Sequence, residues 1–142
     1  MGLFNYNHFS AMWDTLKIMC RYEKQFKLNT NKINNLDNTK YLYFPIHQLQ
    51  ERNLYMWADD VSDQLNIIRR VGIHIPFTKQ LLVREHPHNI GRRSYNYYSK
   101  WQKIGSAIIG SITESQFKYI KNSEAVITIH GTTGWEALMM KK

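Results

Sequence analysis

Short apolar runs alternate along this chain with longer segments in which apolar residues recur every three or four positions. Four runs have the composition of strands and cover residues 41–46, 80–84, 106–111 and 124–129. The segments with helical periodicity cover residues 59–72, 94–103, 113–122 and 133–142. The order βαβαβαβα predicts a parallel sheet with helices on both faces, a Rossmann-like α/β fold, because each crossover places its helix on a face of the sheet.

Several residues are expected to mark the ends of these helices. Gly72 lies where the first helix can end in a left-handed cap. Thr113 and Gln116 have the spacing of a capping box, which predicts that the third helix starts there. Thr132 or Thr133 is expected to cap the last helix, since a hydroxyl oxygen can accept a hydrogen bond from a backbone N–H group at the helix start.

The helical spacing also predicts which side chains face the core. Phe117 and Ile120 are expected to point inward from the third helix. Tyr95, Tyr98 and Trp101 form a stripe on the second helix. For this stripe a place in the core is favoured over an exposed stacking platform.

Residues 1–39 are expected to form a separate amino-terminal region, and residues 40–142 a single domain. Asn is dense between residues 29 and 38, which favours a solvated linker. Upstream of it, an apolar helical stripe lies beside basic positions and predicts a basic amphipathic helix; its members are Met12, Trp13, Leu16, Met19, Cys20, Lys17, Arg21 and Lys24. Such a helix can pack on a neighbouring surface or lie on an anionic membrane.

The net charge of +8 over 142 residues indicates an anionic partner. The basic residues are scattered along the chain, so nucleic acid is not predicted as that partner. The single Cys20 suits a reducing compartment. The first ten residues lack the features of a secretory signal, and no apolar run approaches the ~20 residues of a membrane helix. We therefore expect a cytoplasmic protein, with peripheral attachment to the inner membrane as an open alternative.

The loop His-Gly-Thr-Thr-Gly-Trp-Glu after the last strand carries the clearest chemical signal, because ligands of such sheets bind at the carboxyl ends of the strands. Gly131 and Gly134 allow the backbone to approach a ligand closely. Thr132 and Thr133, with the N–H groups at the helix start, can hold a phosphate. Glu136, one turn later, is a candidate for hydrogen bonds with ribose hydroxyls. The alternative is an ordinary turn followed by a helix cap.

The Glu-His-Pro loop after the second strand is the second candidate. Pro87 favours an extended conformation for His86, whose imidazole can donate to a phosphate or act as a general acid toward a leaving phosphate. Arg92 and Arg93 add cations that pair with phosphate. The alternatives are a histidine bonded to the backbone and arginines that are merely solvated.

The loop after the first strand is polar and contains His47, Gln48, Gln50, Glu51 and Arg52. These side chains can contact a sugar or an acceptor, but polar surface is the favoured interpretation. Other chemistries lack their motifs: there is no Gly-Lys-Ser/Thr phosphate loop and no Gly-x-Ser-x-Gly elbow. The six histidines have neither Cys partners nor His-x-x-x-His spacing, so no metal and no resident cofactor are predicted.

Five segments together resemble the capsule polysaccharide biosynthesis family. They are Tyr-Leu-Tyr-Phe-Pro-Ile-His at 41–47, Gln-Glu at 50–51, Ser-Asp-Gln-Leu at 62–65, Leu-Val-Arg-Glu-His-Pro at 82–87 and Ile-Thr-Ile-His-Gly-Thr-Thr-Gly-Trp-Glu-Ala-Leu at 127–138. They occur in the order of the family and cover about residues 40–142. The Glu-His-Pro and Gly-Thr-x-Gly-Trp-Glu-Ala elements together are fairly specific.

The resemblance implies one half of a GT-B architecture, the donor domain of a glycosyltransferase similar to Kdo transferases and others that use CMP-activated acidic sugars. By this resemblance His86, Thr132 and Thr133 bind the phosphate of a nucleotide-sugar donor, and Glu136 contacts its ribose. The resemblance also implies an anionic polysaccharide or a lipid-linked acceptor. Because the family's acceptor domain is much longer than residues 1–39, we expect it in a missing amino-terminal domain or a partner chain.

Two departures from the family pattern are visible. The first loop lacks the Pro that usually precedes Glu51, and the chain reaches Lys142 before the family's Gly-Lys-Pro-Val type segment, so a truncated domain is expected. Two other functions stay open: a polyol-phosphate transferase of the teichoic-acid type, which also uses a His-Pro motif and a nucleotide donor, and a non-catalytic nucleotide-binding domain.

Overall fold

The computed structural model describes residues 12–21, 40–48 and 63–142, without the side chains of Tyr95 and Gln102. Residues 12–21 form helix α1, as the amphipathic pattern predicts. The predicted Asn-rich linker and most of the predicted polar loop after the first strand lie outside the described residues.

Within the described part of the chain, four parallel strands form one sheet. The strands are β1 (Tyr41–Pro45), β2 (Gln80–Arg84), β3 (Ala107–Ile109) and β4 (Ala125–Val126). The helices are α2 (Gln64–His74), α3 (Tyr95–Gln102), α4 (Gln116–Asn122) and α5 (Thr132–Met139), with a short 3-10 helix at Pro87–Asn89. This arrangement confirms the predicted parallel α/β fold.

The strand order is β3-β2-β1-β4, and it reverses direction at β1. The chain runs outward from β1 through β2 to β3, and then returns to place β4 on the other side of β1. The helices that follow β1 and β4, α2 and α5, therefore lie on opposite faces of the sheet, and a crevice opens beside the ends of these two strands. In open α/β sheets this reversal point is where ligands bind.

Apolar side chains cover both faces of the sheet. On one face a row of Ile108, Leu82, Tyr43 and Val126 crosses the four strands and packs against Tyr119 and Ile120 of α4 and Ala137 of α5. On the other face, Phe44, Val83 and Ile109 pack against Leu65 and Ile68 of α2 and Tyr98 and Trp101 of α3. Tyr98 and Trp101 are thus core residues, as favoured from the sequence.

The expected end of α2 at Gly72 is wrong, because the helix continues to His74. A Cβ at Gly72 would lie 2.7 Å from the Ile104 side chain, and the Ser106 hydroxyl donates to the Gly72 carbonyl at 2.7 Å. The glycine therefore allows the loop before β3 to approach the helix closely. The helix ends where Ile75, which precedes Pro76, adopts an extended conformation.

The capping box predicted for the third helix does not form. Helix α4 begins at Gln116, and its N-cap Ser115 makes no side-chain capping bond. The Thr113 hydroxyl pairs with the Ser111 hydroxyl at 2.7 Å instead. Phe117, which was expected to face inward, is 56% exposed, and Tyr119 takes the buried position.

Candidate functional site

A cavity of about 900 Å³ opens at the carboxyl ends of β1, β2 and β4. Its walls include His47 after β1, Arg84 and His86 at the end of β2, and the start of α5 after β4. It therefore occupies the crevice that the reversed strand order creates. The loops after β2 and β4, which the sequence singled out separately, line this one cavity.

The start of α5 forms one wall of the cavity. The N-cap residue is Gly131, with φ of 99°, and the helix begins at Thr132. The prediction that Thr132 or Thr133 caps this helix is wrong, because the left-handed conformation of Gly131 starts the helix earlier and no side-chain capping bond forms. Both threonines lie in the first turn and line the cavity. Their position leaves backbone N–H groups and the positive helix end directed at an incoming anion.

His86 faces the same cavity from the end of β2. Its Nδ1 accepts a hydrogen bond from the His88 N–H group at 3.2 Å, so the histidine caps the short helix that follows. An acceptor at Nδ1 carries no proton, and in the neutral imidazole the proton is then on Nε2. The loop thus selects the tautomer in which Nε2 is a hydrogen-bond donor.

Glu85 lies behind His86 and is only 2% exposed. Its Oε1 accepts from the His86 N–H group at 2.9 Å and from the Asn89 amide at 2.7 Å. Its Oε2 accepts from the Tyr98 hydroxyl at 2.9 Å and lies 3.0 Å from Arg93 Nε. Burial raises the pKa of the Glu85 carboxyl, although these partners favour the charged form. In the Glu-His-Pro motif the glutamate therefore fixes the loop.

His47 is buried, although the sequence favoured polar surface for this loop. Its carbonyl accepts from the Asn89 amide at 2.9 Å, and its N–H group donates to Gln64 Oε1 at 2.7 Å. Its Nε2 accepts from the His130 N–H group at 3.3 Å. These bonds hold the imidazole beside Gly131, where a Cβ would lie 3.6 Å from the ring. For His47 the sequence alone favours polar surface over contact with a sugar or an acceptor, whereas the structure places it in the cavity wall.

Arg84 is a second residue that the candidate set omitted. It is buried at the end of β2 and lines the cavity. Its guanidinium donates to the carbonyls of Ser111 at 3.4 Å, Ile112 at 3.3 Å and Glu114 at 3.1 Å. These bonds fix the loop that leads from β3 into α4. A polar residue that ends an apolar strand on the ligand side of the sheet is the sequence signal that could have identified it.

Two of the predicted ligand residues lie apart from the cavity wall. Glu136 is absent from the described residues that line the cavity, and its Oε2 accepts a hydrogen bond from the Gln116 amide at 2.7 Å. Arg92 lines a separate, smaller pocket of about 250 Å³ beside α1. The structure brings His86, Gly131, Thr132, Thr133 and Gly134 together in the main cavity.

Among the described residues, no three His, Cys, Asp or Glu side chains converge in a way that could hold a metal ion. The described helices also include none with the length and apolar character needed to cross a bilayer.

Comparison with known proteins gives one positive result. The family model described as "Capsule polysaccharide biosynthesis protein" matches residues 2–142. Neither the curated proteins nor the solved structures include a significant match. The match extends through the amino-terminal region as well as the sheet domain, which is more of the chain than the five motif segments cover. The chain therefore belongs to the capsule polysaccharide biosynthesis family.

Proposed function

We propose that this chain is the donor-binding part of a glycosyltransferase for capsule or surface polysaccharide, and that its donor is a CMP-activated sugar. The observation that carries the proposal is the single cavity shared by His86 and the first turn of α5. The family makes a sugar donor and a polysaccharide acceptor the general expectation.

The arrangement suits stabilisation of a departing nucleotide phosphate. The N–H groups of the first turn of α5 and the Thr132 and Thr133 hydroxyls supply neutral donors. The Nε2–H group of His86 supplies another donor: with Nδ1 accepting from the His88 N–H group the imidazole is neutral, so it stabilises the departing phosphate by a hydrogen bond and keeps its proton. Donors fixed in place before the reaction stabilise developing charge with little reorganisation. His47 supports the loop at Gly131 by accepting a hydrogen bond from the His130 N–H group.

Titration of the protein with CMP, CDP, UDP and a short oligonucleotide, followed by calorimetry, tests the proposal. We expect cytidine nucleotides to bind. His86→Ala and Thr133→Ala should each lower the affinity for CMP by about 10-fold or more, since a hydrogen bond to a charged group contributes about 1.5–3 kcal/mol. His74→Ala and Thr78→Ala, at positions outside the cavity lining, are matched controls. Binding of the oligonucleotide without any free nucleotide would reject the proposal.

A polyol-phosphate transferase would use the same cavity but a different donor. Competition between CMP-sugars and CDP-linked polyols separates the two enzymes, because the second donor has a diphosphate. A non-catalytic domain would bind nucleotide without releasing CMP from a CMP-sugar in the presence of an acceptor.

The geometry of α1 supports a further part of the proposal, contact with an anionic membrane surface. Ile18 packs against Gly91, where an added Cβ would lie 2.7 Å from its side chain. Residues two positions apart on a helix point in nearly opposite directions, so Leu16 faces away from this contact. Three further exposed apolar side chains lie near Leu16 on the helix: Met12, Trp13 and Met19. Such a stripe beside basic side chains suits the interface of an anionic bilayer.

Sedimentation with lipid vesicles tests membrane contact separately from donor binding. We expect the protein to bind vesicles that contain phosphatidylglycerol more strongly than vesicles of phosphatidylcholine alone, and Leu16→Glu to abolish the difference. Phe77→Glu is the control, because Phe77 is fully exposed in the turn before β2. Equal binding of wild type and Leu16→Glu would exclude this role for α1.

A further inference from the structure

The side chain of Gln116 joins the two helices on one face of the cavity. Gln116 is the first residue of α4 and lines the cavity. Its amide nitrogen donates to Thr133 Oγ1 at 3.0 Å and to Glu136 Oε2 at 2.7 Å, both on α5. A side-chain amide carries two N–H groups, so these two bonds engage both of its donors.

The bond to Thr133 determines what its hydroxyl can do. A hydroxyl whose oxygen accepts from an amide has its own proton directed elsewhere. Because Thr133 lines the cavity at the start of α5, that proton is available to an anion bound there. Without the amide, the hydroxyl could rotate and present a lone pair to the anion instead.

The bond to Glu136 has a complementary effect. Glu136 lies one helical turn from Thr132, and a carboxylate at this distance would repel a bound phosphate. The Gln116 amide holds this carboxylate between the helices and places partial positive charge beside it. The same side chain therefore orients a donor toward the anion and keeps a negative charge away from it.

The segment that leads into Gln116 is held by the strand that precedes His86. Arg84 of β2 donates to the carbonyls of Ile112 and Glu114, directly before α4. Because Arg84 is buried, this contact ties the start of α4 to the sheet. The position of the Gln116 side chain thus depends on the same sheet end that positions His86.

We propose that Gln116 is a positioning residue for anion binding at the start of α5, acting by making Thr133 a donor and by restraining Glu136. The role rests on the proposed donor site, and the anion would be the phosphate of that donor. Gln116 acts through these two residues, so its own contact with the anion is not required.

The variant Gln116→Glu gives this role a specific signature. It puts a second carboxyl where the amide lies 2.7 Å from Glu136, and two carboxyls so close ionise together only at a cost. At high pH both are charged and repel the anion, whereas at lower pH a shared proton restores a donor between them. We expect CMP affinity, as a ratio to wild type at the same pH, to fall about 10-fold or more at pH 8 and to recover toward pH 5.5.

Two further variants separate positioning from a general loss of structure or charge. Gln116→Ala is expected to lower CMP affinity by about 5- to 10-fold, and the ratio of its affinity to that of wild type should not change with pH. Gln80→Glu makes the same chemical change at the amino end of β2, at the opposite end of the sheet, and should leave the ratio near one. Circular dichroism and thermal melts verify that each variant is folded.

The outcomes distinguish this inference from the proposed function. A Gln116→Glu ratio that is independent of pH, or wild-type affinity in Gln116→Ala, would overturn the role of Gln116 while donor binding stands. If wild type binds inorganic phosphate but not CMP, the donor assignment fails, and the same ratios measured with phosphate decide the role of Gln116. If wild type binds neither probe, both inferences are rejected.

Discussion

The side-chain amide of Asn89 donates to the main-chain carbonyl of His47 at 2.9 Å, although 42 residues separate the two in the chain. The same amide nitrogen donates to Glu85 at 2.7 Å, and Asn89 is completely buried. One side chain therefore ties the loop after β1 to the loop after β2. These are two of the loops that line the cavity, so its shape depends on this buried contact.

Replacement of Asn89 should destabilise the protein. Asn89→Ala removes one close donor from the buried Glu85 carboxylate and one from the His47 carbonyl, which costs about 1–3 kcal/mol. Urea denaturation measures the loss in free energy of unfolding. Asn96→Ala, at an exposed position of α3, should change that free energy by less than about 0.5 kcal/mol. Equal stability of the two variants would show that the Asn89 bonds contribute nothing net.

The conformation of Gly131 predicts that an alanine there weakens both the fold and the site. With φ of 99°, Gly131→Ala should cost about 1–2 kcal/mol of backbone strain and shift the start of α5. We expect a lower free energy of unfolding and weaker CMP binding. Gly105→Ala is the matched control, because the φ of Gly105 is not positive and an added Cβ meets no atom within 4 Å. If Gly131→Ala leaves the free energy of unfolding and CMP binding unchanged, the proposed helix start is contradicted.

The two nitrogens of His86 should be separable by substitution. Asn can replace Nδ1 as the acceptor from the His88 N–H group but cannot reach as far as Nε2. We therefore expect His86→Asn to retain most of the wild-type stability and to lose CMP affinity by about 10-fold or more, as expected for loss of a hydrogen bond to a charged group. Thermal melts and calorimetry measure the two effects. His86→Ala should lose both, and full CMP affinity in His86→Asn would exclude a role for Nε2.

The buried tyrosines predict a loss of stability in alkali. Burial raises the pKa of Tyr43 and of Tyr97 to about 12, and that of Tyr98 further, with the Glu85 carboxylate adding to the shift of Tyr98. A tyrosine in the unfolded chain has a pKa near 10.0, so above that pH the unfolded state loses protons that the folded state keeps. The stability that these groups contribute is present below pH 10 and is lost as pH rises toward 12.

Absorbance at 295 nm during a pH titration tests this expectation. A first step near pH 10 should account for only part of the nine tyrosines, and the remainder should ionise near pH 12 or on unfolding. Circular dichroism recorded in parallel identifies the unfolding step. Ionisation of all nine in one step near pH 10 with the fold intact would contradict burial of the tyrosine hydroxyls.

The sequence predicted those features of the structure that depend on residues within a single segment. The alternation of apolar runs and helical periods predicted the parallel α/β fold, because burial on a sheet face or a helix stripe imposes its own period on the chain. Glycine and threonine near residues 131–133 marked a helix start beside a strand. The capping assignments failed at Gly72, Thr113 and Thr132 because another nearby residue determined each helix end. Helix α2 ends at Ile75, the Thr113 hydroxyl pairs with Ser111, and the positive φ of Gly131 starts α5 before the threonines can cap it.

The sequence by itself determined the elements of this protein, the two candidate loops and the family to which the motifs point. Only the tertiary structure decided that β4 lies beside β1, which brings the His86 loop and the start of α5 into one cavity. It alone buried His47 and set Gln116 against Thr133 and Glu136. The physical reason is that periodicity and turn chemistry act between residues a few positions apart, whereas these contacts join residues 17 to 83 positions apart and form only when the sheet is assembled.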